Sequence, residues 1–375
     1  MGIKIRRIPE DFKVFELNKF NILKRGKYKL YLLKKKNLET FDLVDYLSRT
    51  NQIPRGAFGI AGLKDKHAVT EQYLTLDDKY ELKILSENNF SLILLGYLNN
   101  PIKIGDLRGN RFEIIIRGIT GRELHGISTK CNDLSVPNYY DSQRFGSVHN
   151  KDFIIKYIIK KDYETAVKIY LTSFSKFEIK KIKQDKILIL NNWGKPVKLK
   201  TRCLSHIVDT YQKTRDWLKA YQKIPANARE MFVFAYQSYL WNECIKLLLK
   251  KHFDKHSLYS VKYNVGSLLF FKQSINGLPK SFQTLSSNMQ VESYEKEIIK
   301  TVLEKEKLDL KDFDINISGN FFKTYKREII IAPANISISS PTNDEFLRNK
   351  YKIKVCFTLP KGSYATIIIK RLFNF

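Results

Sequence analysis

The sequence predicts an α/β (α+β) protein in which a β-sheet is assembled from both ends of the chain, with a second domain inserted between them. Three observations lead there. Short alternating or β-branched runs cluster before about residue 120 and resume after about residue 326. From 151 to about 325 the texture changes to amphipathic helical stretches with lysine-rich connectors. A length of 375 residues is also a prior for two domains rather than one. The assignment is residues 1–150 with 326–375 for the discontinuous first domain and 151–325 for the insertion, which a surface loop with closely spaced ends tolerates.

Taken in order, GKYKLYLL (26–33) alternates basic and apolar residues as a half-buried strand does. NLETFDLVDYLSRT (37–50) follows as a helix, with Thr40 as N-cap and Phe41, Val44 and Leu47 on one face. A loop over 61–68 runs into a strand at 69–76, and FSLILLG (90–96) and RFEIIIR (111–117) are further strands. VPNYYDSQRFG (136–146) is a polar, aromatic loop. In the insertion, DFIIKYIIKKDYETAVKIYL reads as helical and EIKKIKQDK as a connector. NAREMFVFAYQSYLWNECIKLLLK is a helix with a core stripe of Met231, Phe234, Ala235, Ser238, Asn242 and Ile245. REIIIA, YKIKVCFTL and YATIIIK then read as three strands that complete the first sheet, LPKGS making a hairpin turn between the last two.

Composition narrows the function. Sixty-six Lys and Arg against 38 Asp and Glu leave +28, a field that attracts polyanions. Twenty-one Tyr and 24 Phe favour nucleic acid among these, because aromatic faces stack on unpaired bases. The apolar runs are too short to span a bilayer and the N-terminus lacks the apolar core of a signal peptide, so a cytoplasmic protein without a membrane partner is expected. Cys131, Cys203, Cys244 and Cys356 form no C-x-x-C pair, and His252 and His256 lack the glutamate of H-E-x-x-H, so no metal site is expected. Neither a G-x-x-x-x-G-K-[ST] loop nor a G-x-G-x-x-G turn occurs, so no nucleotide cofactor is expected.

AGLKDKHAVTEQ (61–72) places Asp65 between two lysines, just before a strand. Alone it reads as a surface turn, with Gly62 supplying positive φ. Together with PEDFKVFE (9–16), VPNYYDSQRFG and LPKGSYAT (359–366), it resembles the TruD family of pseudouridine synthases, and FAYQSYLWN (234–242) is similar to a fifth, weaker element. The resemblance runs from residue 9 to near the C-terminus across a variable middle. It implies isomerisation of uridine to pseudouridine in RNA. The usual substrate in bacterial members is uridine 13 of a tRNA, notably the glutamate tRNA. It further implies a pseudouridine-synthase-like mixed, largely antiparallel sheet flanked by helices, and an inserted α/β domain.

By the same resemblance Asp65 is the catalytic aspartate, a group able to act as nucleophile or base at the ribose and leave again. Arg6 stands where relatives carry a basic residue and is the expected charge partner of Asp65. Phe12, Tyr140 and Tyr364 are expected around a base flipped out of its stack, and Asn138 on the uracil edge, where an amide both donates and accepts. Tyr140 and Tyr364 stand where many relatives have Phe, and Asp141 replaces a glycine. Lys64 and Lys66 are expected either beside the carboxylate or on phosphates, and Gln143 and Arg144 as braces or phosphate contacts. His67 is not assigned as a proton shuttle. The partner is tRNA, no cofactor is needed, and a monomer is expected. The alternative is a basic RNA-binding or RNA-folding protein without catalysis. A methyltransferase would need a donor pocket that the sequence does not signal.

Overall fold

The computed structural model describes residues 3–124, 127, 134–174, 178–273, 277–317 and 319–373. The chain divides into two compact units, Met1–Ser135 with Ala332–Phe375, and Val136–Ile331. The stretch 151–325 lies inside the second unit, which also takes in residues 136–150, with the loop 136–146, and residues 326–331.

The first unit is built on a 10-stranded sheet. Its early strands are β1 (Phe12–Leu17), β2 (Tyr28–Lys36), β3 (Phe58–Ile60), β4 (Val69–Asp77), β5 (Ser86–Glu87), β6 (Phe90–Leu98) and β7 (Gly109–Ile119). The order is Ala334–Ile338, Tyr351–Pro360, β7, β1, β4, β2, β6, β5, with β3 paired to β4 and Thr342–Asn343 to Tyr351–Pro360. Only β1 and β4 run parallel among these pairings, giving the mixed, largely antiparallel sheet that the resemblance implies. Along β1 the two-residue period turns Phe12, Val14 and Glu16 inward. A carboxylate on the buried face requires a partner.

Helix α1 (Thr40–Asn51) lays Leu43, Val44 and Leu47 against Leu33, Leu74, Leu76 and Leu92. Glu39, not Thr40, caps it, accepting from the Asp42 amide, because Thr40 is buried and its hydroxyl is engaged elsewhere. Phe41 is on the solvent side.

The C-terminal run departs from its prediction. YATIIIK is the helix Ala365–Phe373, and LPKGS turns the chain into it through Gly362 (φ 80) instead of closing a hairpin. Ala365, Ile368, Ile369 and Leu372 are buried, so a helix-period apolar face overrides the β preference of three consecutive isoleucines. REIII does not join this sheet. Lys326–Glu328 pairs with Ser281–Gln283, and Ile330–Ile331 with Val136–Pro137, in the second unit.

In that unit the expected long helix is two, Ile154–Ile159 and Tyr163–Thr172. Lys161 takes φ 60 between them, and Asp162 caps the second by accepting from the Thr165 amide. EIKKIKQDK lies mostly in the helix Lys180–Asn191 rather than in a connector, its Asp185 and Ile189 buried. The 27-residue helix Ala226–His252 is buried on nearly every side, by Phe232, Val233, Tyr236, Leu240, Trp241 and Cys244. It therefore has no single stripe, and Met231 is exposed. It ends at His252, so His256 stands beyond it in a separate 3₁₀ turn. Cys203, Cys244 and Cys356 are free thiols, and Cys131 lies outside the described residues. Among the described residues no helix is long and apolar enough to cross a membrane.

Candidate active site

Asp65 sits in the loop that leads into β4, where the chain is held but the carboxylate is not sealed. Arg6 Nη2 donates to Asp65 Oδ2 at 3.0 Å, and the two side chains are 29% and 15% exposed. The Arg6 guanidinium also lies 3.8 Å over the Phe12 ring, which is buried at the start of β1 and meets Phe112 edge-on. Sequence reasoning proposed Arg6, Phe12 and Asp65 from two separated stretches, and the fold brings them together.

What holds Arg6 is the aspartate of PEDF. Asp11 Oδ2 accepts from the amides of Arg7 (3.0 Å) and Ile8 (3.2 Å), pinning the segment that carries Arg6. Arg117 of β7 donates Nε to both Asp11 oxygens at 2.8 and 3.0 Å and also pairs with Asp344 and Glu345. The Arg117 hydrogen bond, with one from Lys352, holds the Glu345 carboxyl down at about 2.

The underside of the Asp65 loop is ionic too. Lys64 points inward, its Nζ 2.5 Å from Glu16 Oε2, while Lys66 is exposed. The inward-facing Glu16 of β1 thus finds its partner, and its other oxygen accepts from the Tyr73 amide at 3.4 Å. The Lys64 amide donates to Thr40 Oγ1 (3.3 Å), which donates to Gln72 Oε1 (3.1 Å). Gly62 takes no positive φ, so the turn does not depend on it in the expected way. His67 is exposed, with Nδ1 3.0 Å from Asn37 Oδ1.

Sequence reasoning missed Lys35. It is buried at the end of β2, and its ammonium meets three main-chain carbonyls: Leu38 at 2.7 Å, Asp65 at 3.2 Å and Lys64 at 3.4 Å. A signal was present, since alternation from Tyr31 through Leu33 puts residue 35 on the inward face. Tyr364 is half-buried just before the C-terminal helix, its carbonyl accepting from the Ile367 amide at 3.1 Å.

Asn138 and Tyr140 belong to the second unit. Arg327 clamps Asn138, donating Nε (2.9 Å) and Nη2 (2.7 Å) to its main-chain carbonyl and Nη2 to its Oδ1 (2.8 Å). The same guanidinium lies 4.1 Å over the Tyr140 ring. Asn242 brackets the Tyr140 backbone, Oδ1 accepting from its amide (3.0 Å) and Nδ2 donating to its carbonyl (2.9 Å). The Tyr140 hydroxyl is 2.5 Å from that of Tyr325, and burial pushes the phenol far above its ordinary range. Asn242 was expected only as core and Arg327 only as part of a strand, because neither partnership leaves a local pattern. Asp141 is extended (φ −106, ψ 177) and accepts from the Ser142 amide at 2.7 Å, so the position does not require the glycine it replaces. Arg144 lies 5.4 Å over the Tyr140 ring and 5.9 Å over Phe234, a bracing placement.

The family model for tRNA pseudouridine synthase D (TruD) matches residues 1–275 and 281–372. The chain belongs to the TruD family. It is therefore a pseudouridine synthase, an isomerase. It is 39% identical to "Probable tRNA pseudouridine synthase D 1" of Methanococcus maripaludis, over 99% of this chain and 100% of that one. It is 31% identical to the tRNA pseudouridine synthase D of Aquifex aeolicus, over 100% and 98%. In fold it matches the crystal structure of a Methanosarcina mazei protein described as "Putative tRNA pseudouridine synthase D (TruD)", with TM-score 0.70 and 22% identity, covering 100% of this chain and 94% of that one. TruD membership fits the cluster of carboxylate, guanidinium and aromatic ring around Asp65.

Proposed function

We propose that this TruD protein isomerises uridine 13 of a cytoplasmic tRNA, the glutamate tRNA being the first to test, and acts as a monomer. The observation that carries the proposal is the Arg6–Asp65 pair resting on Phe12. A carboxylate held by a guanidinium and still partly open is suited to act at the ribose as nucleophile or base, and then to leave. The base must first leave its stack. Asn138 is assigned to the uracil edge, Arg327 fixing which way its amide points and taking one of the two acceptor positions of Oδ1. Tyr140, Tyr364 and Phe12 are assigned to the walls around the nucleotide, Phe12 as the ring beneath Arg6. Lys66 and other exposed lysines are assigned to phosphates. Binding at +28 net charge is then expected to weaken steeply with salt, and a flat salt dependence counts against this assignment.

The decisive experiment compares wild type with Asp65→Asn on tRNA carrying 5-tritiated uridine. The variant is expected to bind tRNA and release no tritium. Normal release by the variant would remove Asp65 from the chemistry. Full binding with no release by the wild type would favour the RNA-folding alternative.

A further inference from the structure

We propose that Lys35 is a positioning residue for the isomerisation, its ammonium fixing the main chain of Asp65 and Lys64 against the end of β2. This rests on the reading of Asp65 as the catalytic carboxylate. The geometry is a match of numbers. An ammonium has three N–H donors, and three carbonyls, of Leu38, Lys64 and Asp65, stand at 2.7, 3.4 and 3.2 Å from Nζ. Leu38 lies just before α1 and the other two lie in the loop, so one buried cation joins strand, helix entry and loop. A neutral amine has two donors and a lone pair, which would leave one carbonyl facing that lone pair.

The charge on Lys35 is therefore part of the device, and it is poorly insulated. Burial lowers its pKa from 10.5 to about 8, with Asp65 and Glu39 working to keep it charged and Lys64 against it. Its cross-strand neighbours, Thr70 and Phe90, carry no charge. The sign follows. With the folded value below the unfolded one, the unfolded chain binds more protons between about 8 and 10.5, so this group's contribution to stability rises with pH across that window. A charge kept at neutral pH against its stability cost points to a geometric role. Activity should move the other way, falling as pH rises through about 8 while the fold persists.

The test uses the full chain, with tritium release for kcat and filter binding for tRNA affinity. Lys35→Met is expected to lose kcat about a hundredfold, the effect of a misplacement of about 1 Å, with tRNA affinity unchanged. Amide hydrogen exchange should quicken in the Asp65 loop and not in the helix Ala226–His252. Lys35→Arg should retain activity at neutral pH and carry the alkaline fall to higher pH. A folded Lys35→Met with wild-type kcat overturns the proposal, as does a loss of kcat matched by an equal loss of tRNA affinity. Where Lys35→Met does not fold, the Arg variant decides, and alkaline limbs that superimpose with wild type overturn it. An inactive Asp65→Asn beside a fully active Lys35→Met sinks this inference alone. An active Asp65→Asn sinks the reading beneath it.

Discussion

The loop carrying Asp65 and the segment carrying Asn138 and Tyr140 are both held by buried polar groups, but by different physics. Beneath Asp65, ions face inward: Glu16 meets Lys64 and Lys35 meets carbonyls, while the carboxylate above stays partly open and meets Arg6. Around Asn138 and Tyr140 the Arg327 guanidinium takes the Asn138 carbonyl, the Asn138 amide donates to the Ile329 carbonyl and the Asn242 amide brackets the Tyr140 backbone, and both residues are buried. The first arrangement suits a group that must change its bonding during a reaction, because a loop fixed through its main chain stays in place while the side chain exchanges partners. The second suits recognition, which needs one fixed orientation of donors and rings. Buried ion pairs are weak evidence of stability, so the first region is expected to be the costlier one to disturb by halves.

The largest effect should come from halving the ion pair. Lys64→Met strands Glu16 as a buried carboxylate with no cation, and a loss of about 3–5 kcal/mol is expected in urea unfolding. Glu16→Leu combined with Lys64→Met should recover most of that stability. A double variant no better than the single would show that Lys64 acts through packing, and the contrast between the regions would blur.

Next is Arg327→Met. It removes three hydrogen bonds to Asn138 and the cation above Tyr140, and about 2–3 kcal/mol is expected from leaving that carbonyl and amide oxygen unpaired. Because Asn138 would lose its fixed amide orientation, KM should rise more than kcat falls. The reverse pattern in Arg6→Met, with kcat falling and KM little changed, would sharpen the division between chemistry and recognition.

Legibility followed the same division. The Asp65 loop, the strand after it and Phe12 could be read because each lies in a short contiguous run whose residue types are constrained locally. Arg6 was placed by its distance from PEDF. Glu16 and Lys35 were missed because their charge reads as solvent-facing and outweighs the alternation that, in β2, already points residue 35 inward. Arg327 and Asn242 were hidden because their partners, Asn138 and Tyr140, lie 189 and 102 residues away in sequence. Two of the mistaken elements share one cause. YATIIIK reads as a strand by its β-branched residues and EIKKIKQDK as a connector by its lysines, and in both tertiary burial on helix-spaced positions decides otherwise. Met231 was placed in a stripe that a helix buried on nearly all sides does not possess.

The smallest effect, and the most discriminating for the recognition side, belongs to Tyr140→Phe. The hydroxyl meets that of Tyr325, so its loss should cost about 1 kcal/mol, the net worth of one hydrogen bond. The ring, its cover by Arg327 and the backbone bonds to Asn242 all survive the change. Since burial keeps this phenol protonated far above its ordinary range, its titration cannot contribute to the alkaline fall of wild-type activity, and the pH profile of Tyr140→Phe should superimpose on the wild type. A shifted profile would mean that the hydroxyl faces reacting groups, and Tyr140 would then have to be moved from recognition to chemistry.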